Sequence, residues 1–389
     1  MEHLLPHATD RQKELISAVI SEGSYRKAAK SMNVSVGTIE AAIRRAQSRA
    51  SLALLGPDQD LHPSIPDGQI VKGTSTLIDM ATNTSVLQWV KTDTSAEQRL
   101  ASYRNAIEGL IADLPKLPPE KFKGSATDDL IAFYPLGDPH IGMRSWHEES
   151  GADWDLAIAE KAFIGVFDRL VRSAPRCKRA VILNLGDFFH ADNLAGVTER
   201  SGHHLDLDGR YAKMVRIGMK VIRRMIHSAL EHHETVTVIN TIGNHDDTGA
   251  MFLAIALEHI YELEPRVKVD SSPAPFHYVR HGKCLVGAHH GHSCKADKLP
   301  LVMATDRAAD WGETEFRYWY TGHIHHDTLK EHPGCKVESF RTLAAKDAYA
   351  TWHGYRAGQD SKCIVLHKDF GEVERHTVSL AMIHGKKAA

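Results

Sequence analysis

Cysteine is scarce in this sequence, and long apolar runs are absent from it. The 389 residues include five cysteines, an odd number, and none of them forms a Cys-x-x-Cys pair. A disulfide framework is therefore disfavoured, and a reduced, cytoplasmic compartment is expected. The N-terminal segment lacks the basic and apolar regions of a signal peptide. No apolar run reaches the roughly 18–20 residues of a membrane span, so we expect no membrane contact.

An excess of charge of either sign is also missing. The chain has 47 Lys and Arg against 49 Asp and Glu, so contact with nucleic acid would have to come from a local basic patch. The length and the 42% hydrophobic content allow two or three domains. Histidine is frequent, with 26 copies, and the positions of these histidines carry more information than their number.

Residues 1–50 are predicted to form an all-α domain of three short helices, near Asp10–Ser21, Ser24–Met32 and Val36–Ser48. The turn Asn33-Val34-Ser35 and the residues around it resemble the helix-turn-helix of bacterial DNA-binding proteins. The alternative is a packing or dimerisation module with a solvated basic face. The predicted nucleic-acid contacts are Arg26, Lys27, Lys30, Ser35, Thr38, Arg44 and Arg45.

Residues 51–125 are predicted to hold a linker, a β-hairpin and a helix of unknown role. Prolines are frequent over 51–70, which indicates the linker. Val71–Ile78 and Ser85–Lys91 alternate in the manner of a hairpin, and a helix is expected from Ser95 to about Leu114. No residue here suggests a chemical role.

From residue 126 to 389 the pattern becomes strand, loop, helix, followed by a strand-rich tail, which predicts an α/β/α sandwich with its site at the strand ends. Helices are expected near Asp155–Ser173, Leu205–His232 and Thr248–Leu263. The predicted strands are Leu130–Leu136, Ala180–Leu185, Thr235–Thr241, Lys283–Ala288, Arg317–Thr321, Cys335–Phe340, Cys363–His367 and Glu372–Val378.

Five loops after these strands carry most of the metal-binding residue types. They are Gly137-Asp138-Pro139-His140, Gly186-Asp187-Phe188-Phe189-His190, Gly243-Asn244-His245-Asp246, His289-His290-Gly291-His292 and Gly322-His323-Ile324-His325. Because residues i and i+2 of a strand share a side, each Asp-x-His or His-x-His unit should aim two ligands at one place, with Ile324 facing the core. The glycines should let the backbone approach an ion closely.

The ligands in these loops are mixed, with carboxylate, imidazole and one amide oxygen. Such a set suits Mn²⁺, Fe or Zn²⁺ better than Ca²⁺. The set is larger than one ion needs, so a pair of divalent ions about 3.5–4 Å apart is expected, which would activate a water for attack on phosphorus. Taken singly, each aspartate could instead cap a helix, and Asn244 could simply hold a turn.

The order of these five motifs resembles that of the calcineurin-like metallophosphatases over roughly residues 130–330. The resemblance implies a four-layer α/β/β/α sandwich. It implies one metal held by Asp138, His140 and His325, a second held by Asn244, His290 and His323, and Asp187 as the bridge. It also implies that His245 stabilises or protonates the leaving group. The choice among His289, His290 and His292 is the weakest, and the His-Gly pair favours His290.

The second loop is similar to the G-D-[LI]-F-H motif of nuclease subunits in double-strand-break repair complexes. The similarity implies that His190 acts near the scissile phosphodiester, although a histidine at the pocket rim is the alternative. The chain departs from those nucleases because it lacks a long coiled-coil segment and adds the helix-turn-helix. Arg200, His203 and His292 are candidate substrate contacts, and the long loop that carries the first two could equally be a surface loop without a role.

The leading hypothesis is a nuclease that cleaves DNA or RNA with two divalent ions, Mn²⁺ first, and that is recruited by the N-terminal domain. The alternatives are a phosphomonoesterase or nucleotide phosphodiesterase, and a DNA-binding regulator with a vestigial metal site. The combination of helix-turn-helix, hairpin and metallophosphatase is similar to proteins of bacteriophages and prophages. It implies a bacterial or infected-cell cytoplasm, with nucleic acid as partner and a homodimer as one option.

Overall fold

The computed structural model describes residues 2–53, 69–79, 84–94, 122, 124–198 and 202–384. The chain divides into two compact units, Met1–Ala106 and Ile107–Ala389. Most of the predicted linker, the predicted helix over 95–114 and Arg200 lie outside the described residues. The three-part domain division stays a prediction.

The N-terminal unit begins with a 3-10 helix, Glu2–His7, and three α-helices, α1 (Asp10–Glu22), α2 (Tyr25–Ser31) and α3 (Val36–Ala53). The three predicted helices are therefore present. They bury one apolar cluster, which consists of Leu4, Ala8, Leu15, Ile16, Val19, Ala28, Ala29, Ile39, Ala42, Ile43 and Ala46. The first turn of α3 is capped as predicted, because the Ser35 hydroxyl oxygen accepts the Thr38 N–H at 3.1 Å.

The same unit contains two strands, β1 (Gln69–Asp79) and β2 (Thr84–Thr94). They pair antiparallel from Gln69–Thr94 to Asp79–Thr84, so the hairpin lies where the alternation predicts it.

The larger unit holds eleven strands among its described residues. Their bounds are β3 (Thr127–Leu136), β4 (Cys177–Asn184), β5 (Thr235–Asn240), β6 (Val267–Asp270), β7 (His277–His281), β8 (Cys284–Ala288), β9 (Phe316–Thr321), β10 (Thr328–His332), β11 (Cys335–Ser339), β12 (Asp360–His367) and β13 (Gly371–Ser379). The helices are α4 (His147–Ser150), α5 (Leu156–Ser173), α6 (Tyr211–His232), α7 (Asp247–Ile260), α8 (Leu299–Asp306), α9 (Ala308–Glu313), α10 (Ala348–Trp352) and α11 (Ala381–His384), with a 3-10 turn at Ala296–Lys298.

These strands form a six-stranded sheet in the order β13-β12-β3-β4-β5-β6 and a five-stranded sheet in the order β10-β11-β9-β8-β7. The alternation along β3 shows how the layers stack. Ala132 and Tyr134 join the core that includes side chains of α5, α6 and α7, whereas Ile131 and Phe133 join the core between the two sheets. Helix α8 covers the far face of the second sheet through Leu299 and Met303. The predicted four-layer α/β/β/α sandwich is confirmed.

Some elements differ from the prediction. The helix expected from Leu205 begins at Tyr211, and β6, β7, β10, α8 and α9 were not predicted. Strand β10, Thr-Leu-Lys-Glu-His, is exposed along most of its length, so its sequence has no buried side to reveal it. None of the helices in the described ranges combines the length and the hydrophobicity of a transmembrane segment.

Candidate metal centre

The five motif loops converge because they leave strands that run parallel within each sheet. Strands β3, β4 and β5 are parallel neighbours, and so are β8 and β9. Each of them ends directly before a motif loop or is separated from it by at most two residues, so the loops meet at one end of the sandwich. Such an edge is where α/β folds usually bind ligands.

One set of candidate ligands consists of Asp138, His140 and His325, and we call it the first metal group. Each residue offers one ligand atom, and these atoms all lie within 4.8 Å of one another. His325 Nε2 is 3.1 Å from His140 Nε2 and 3.5 Å from Asp138 Oδ1. Asp138 and His140 are buried, so their polar atoms need a partner inside the protein.

The second set contains Asp187, His290 and His323, whose ligand atoms also lie within 4.8 Å of one another. His290 Nε2 is 3.2 Å from Asp187 Oδ2 and 3.0 Å from Asn244 Oδ1, so Asn244 belongs to the same set. We call these four residues the second metal group. The two groups are adjacent, because His290 Nδ1 is 3.8 Å from Asp138 Oδ1.

Several ligands have a backbone conformation that is rare for residues other than glycine. Positive φ angles occur at Asp138 (43°), His140 (43°), Asp187 (50°), His323 (70°) and His325 (57°). Non-glycine residues adopt this left-handed region at a cost, and they concentrate at functional sites. Both metal groups therefore contain strained ligands.

This geometry corrects one part of the sequence reasoning. Asp138 and His140 come together, but they lie beyond the end of β3, and left-handed backbone rather than strand alternation aims them. Ile324 was expected to face the core, yet it is 43% exposed. The loop that carries it has left the extended conformation, so the i, i+2 rule no longer applies to it.

Hydrogen bonds hold the carboxylates in place. Both oxygens of Asp138 accept the backbone N–H of His323 at 2.9 Å, and the Thr342 hydroxyl donates to the Asp138 carbonyl at 2.7 Å. Asp187 Oδ1 accepts the backbone N–H of His245 at 2.8 Å. Two of these contacts join different motif loops, and the third joins the first motif loop to Thr342, which follows β11. They fix the distances between these segments.

Asp246 has a supporting role that sequence reasoning missed. Its two carboxylate oxygens accept the backbone N–H groups of Asp187 and Phe189, both at 3.1 Å. Asp246 is fully buried, and burial together with nearby Asp187 raises its pKa well above the usual value. Asp246 is the last residue of the Gly-Asn-His-Asp motif, so the sequence contained it. Only the fold shows that its side chain contacts the second motif loop.

Two glycines are required by close approach. A Cβ at Gly243 would lie 2.1 Å from Asp187 Oδ1, and one at Gly322 would lie 2.7 Å from Asp138 Oδ2. No side chain fits at such distances, as the sequence analysis anticipated for these loops.

The charges of the centre shift its pKa values strongly. Burial lowers the pKa of His290, but Asp187 and Asp138 outweigh it and raise the value to about 9. Burial and His245 lower the pKa of His140 well below its usual range, and the same two causes lower that of His190 to about 3. The carboxylates of Asp138 and Asp187 thus lie close to His140 and His190, whose lowered pKa values keep their imidazoles neutral.

The arrangement of His140 fits a cation. Its Nε2 faces His325 Nε2 and its Nδ1 faces His190 Nδ1, each at 3.1 Å. A neutral imidazole has one N–H and one acceptor nitrogen, so both contacts can be N–H···N bonds only with matching tautomers in all three rings. A divalent ion bound by imidazole nitrogen and carboxylate oxygen would satisfy the first metal group instead.

Three further histidines surround the metal groups. His245 Nδ1 lies 2.9 Å from the His190 carbonyl, so its N–H donates there and Nε2 remains for other partners. The rings of His190 and His245 stack with centroids 5.3 Å apart, and the His292 ring lies 5.2 Å from that of His290. His289 stacks on Phe276 instead, so of the two adjacent histidines only His290 lies in the second metal group.

The remaining predicted site residues lie elsewhere. His203 is exposed and its carbonyl accepts the backbone N–H of Thr198 at 2.9 Å, while Arg200 is outside the described residues. The seven predicted nucleic-acid contacts in the N-terminal unit are all exposed, at Arg26, Lys27, Lys30, Ser35, Thr38, Arg44 and Arg45.

Comparison with known proteins gives structural similarities only. No protein-family model and no curated protein sequence matches the chain. Among solved structures, it is similar to an archaeal phosphodiesterase (TM-score 0.32, 14% identity, 64% of this chain and 99% of that chain). It is also similar to a predicted phosphoesterase from Streptococcus pneumoniae TIGR4 (0.27, 11%, 64% and 98%) and to Vps29 complexed with zinc from Entamoeba histolytica (0.26, 13%, 64% and 99%). At these values no residue role is transferred from them.

Proposed function

We propose that this chain is a metal-dependent phosphoesterase with two divalent ions, and that its substrate is the phosphodiester backbone of DNA or RNA. The observation that carries the proposal is the adjacency of the first and second metal groups, which places two ion positions beside each other. Mn²⁺ is the first candidate for both, with Fe or Zn²⁺ as alternatives. When bound, two such ions would neutralise charge on a phosphate and lower the pKa of a coordinated water.

The protein side chains divide the remaining work. Asp187 lies in the second metal group, and its backbone carbonyl accepts the N–H of His140 of the first metal group at 2.9 Å. We assign its carboxylate to both ion positions, where it would help to hold each ion. His245 is half-buried with Nε2 unengaged by its bond to His190, so a protonated His245 can donate to the leaving oxygen. His190 holds His245 by stacking and through its carbonyl.

The exposure of the centre favours a polymer as substrate. Asn244 and His245 are half-buried and His323 is exposed, so the second metal group opens to the surface. The exposed basic residues of α2 and α3 are suited to phosphate contacts elsewhere on the chain. The proposal has three further parts that come from the sequence. The partner is a nucleic acid, the chain forms a homodimer as one option, and it acts in a bacterial or phage-infected cytoplasm.

Nuclease assays with matched variants test the proposal. Purified protein with Mn²⁺ should cleave single- or double-stranded DNA or RNA, and Asp187→Ala or His245→Ala should lower the rate by about 100-fold or more. His376→Ala is the control, because His376 is on β13 and contacts Glu374 at 3.1 Å. It should leave the rate unchanged.

Two results would contradict the nuclease assignment. Turnover of an aryl phosphate monoester without cleavage of any nucleic acid would favour the phosphomonoesterase alternative. Less than one metal ion per chain together with intact DNA binding would favour a regulatory protein with a vestigial site.

A further inference from the structure

Four charged residues form a network beside the motif loops: Asp327, Arg341, Asp360 and Lys362. Lys362 Nζ lies 2.8 Å from Asp327 Oδ2 and 2.8 Å from Asp360 Oδ1. Arg341 lies 2.6 Å from Asp360 Oδ2 and 3.3 Å from Asp327 Oδ2. Each cation thus contacts both carboxylates, and we call the set the four-charge network.

The position of Lys362 is unusual for a charged residue. Strand alternation places Asp360 and Lys362 on the same face of β12 as Ile364 and Leu366, which are fully buried between the two sheets. Lys362 is only 7% exposed. Asp360 is buried as well, whereas Arg341 is half-buried and Asp327 is exposed. Paired charges in a protein interior often stabilise no more than apolar side chains of similar size. A role in placing other residues is the alternative.

The four-charge network contacts the segments that carry the first metal group. Asp327 follows His325 by two residues, in the loop where His323 and His325 have left-handed backbone. On the other side, the Arg341 carbonyl lies against Gly137, where a Cβ would be 2.6 Å away, and the Thr342 hydroxyl donates to the Asp138 carbonyl. The network therefore supports both ends of the first metal group.

The second metal group is anchored differently. Asp187 and the residues after it are held by the buried carboxylate of Asp246, and His290 Nδ1 donates to the Leu185 carbonyl at 2.8 Å. His323 shares the loop with His325, but the Asp138 carboxylate holds its N–H directly. Asp187 and His290 of the second metal group thus have supports apart from the four-charge network, whereas His323 is held by Asp138 of the first group.

We propose that Lys362 is a positioning residue for the first metal group, acting through Asp327 and Arg341, and that it sets the affinity of one metal position with little effect on the other. The inference rests on the proposed pair of metal ions. Without Lys362 the two carboxylates would share one cation, and the strained loop carrying His325 would lose its anchor.

Metal titration of the full chain tests this. We expect Co²⁺ or Mn²⁺ to fill two positions in the unmodified protein. Binding is measured by calorimetry and, for Co²⁺, by its visible absorption spectrum. In Lys362→Met one position should weaken by about 10-fold or more, as is usual when the support of a ligand is lost, while the other changes by less than about twofold. Lys362→Arg should recover most of the affinity.

The controls separate positioning from general damage. Lys283→Met removes an exposed lysine that pairs with Glu315 at 3.0 Å, and it should leave both positions unchanged. If Lys362→Met does not fold, the double variant Lys362→Met with Asp360→Asn removes the uncompensated carboxylate and should show the same selective loss. Equal weakening of both positions in a folded variant, or retention of both, would overturn the inference.

The outcome is distinguishable from failure of the proposed function. Selective loss of one ion without any phosphoester cleavage by the unmodified protein would leave the positioning role standing and reject the nuclease. Cleavage by the unmodified protein with both ions retained in Lys362→Met would reject the positioning role alone.

Discussion

Asp246 illustrates how much of the candidate metal centre depends on residues that touch no ion. Its carboxylate accepts the N–H groups of Asp187 and Phe189, so it fixes the turn that gives Asp187 its φ of 50°. A ligand in a strained conformation keeps it only if its surroundings determine it fully. Asp246, in the loop after β5, supplies two hydrogen bonds that hold the turn of Asp187 after β4.

Replacing Asp246 should therefore weaken metal binding without removing a ligand. Asp246→Asn keeps the size but offers one acceptor oxygen to two buried N–H donors, so one donor loses its partner at a cost of about 1–3 kcal/mol. We expect the affinity for Mn²⁺ to fall by about 10- to 100-fold in calorimetric titration. Asp128→Asn, at an exposed position of β3, is the control. Unchanged affinity in Asp246→Asn would show that Asp187 needs no such support.

At the scale of elements, the strands and helices followed the hydrophobic pattern where one face is buried. The strands that end at the motif loops, and α5 and α7, lie within a few residues of their predicted bounds. The strands β10 and β6 were not predicted, because their side chains are too exposed to produce a hydrophobic alternation in the sequence. Helices α1, α2 and α3 were predicted for the same reason as the strands. Their use in nucleic-acid binding stays a prediction.

That use can be tested through the salt dependence of binding. Lys27 on α2 and Arg44 on α3 are exposed, and each phosphate contact should contribute about 0.9 to the slope of log K against log salt concentration. We expect Lys27→Gln with Arg44→Gln to weaken binding of a 20-base-pair duplex and to reduce that slope by about 2, measured by fluorescence anisotropy in EDTA. Arg11→Gln on α1, where Arg11 pairs with Glu14, is the matched control. An unaltered slope would argue for a packing module.

At the scale of the whole molecule, buried histidines link stability to pH. Burial lowers the pKa of His233 to about 4. This residue caps the C-terminal end of α6 and precedes β5, whose other end leads to a motif loop. Its Nε2 is 2.8 Å from the Tyr134 hydroxyl and its Nδ1 is 2.9 Å from the Cys177 carbonyl, so the neutral ring satisfies both partners. Protonation would remove the acceptor lone pair of Nε2, so the Tyr134 hydroxyl could no longer donate to it.

The free energy of unfolding should accordingly fall in acid. The folded pKa of about 4 lies below the usual 6.5, so the folded state takes up fewer protons than the unfolded chain between these values. The contribution of His233 is intact above pH 6.5 and decreases by about 3 kcal/mol as the pH falls to 4. Urea unfolding of His233→Gln should lack that part of the pH dependence, whereas His227→Gln, at a partly exposed position of α6, should keep it. Parallel pH profiles for the native chain and His233→Gln would contradict this.

The sequence by itself determined most strands and helices and the identity of the candidate ligands, and the order of its motifs implied the four layers by resemblance. Periodic burial is a local property of each strand and helix, and five loops with metal-binding residue types in a fixed order leave few other interpretations. These features need no knowledge of which loop touches which.

The tertiary structure decided what depends on contacts between distant segments. It placed His290 rather than His289 in the second metal group and turned Ile324 to the surface. It also joined Asp246 to the turn of Asp187 and Lys362 to Asp327, which are far apart in sequence. Five ligands have left-handed backbone, and hydrogen bonds from other loops hold the backbone N–H groups of His140, Asp187 and His323. No local sequence pattern encodes these contacts. The ligand type of each residue is given by its own side chain. The direction of that side chain and the strain of its backbone depend on contacts between loops that are distant in sequence.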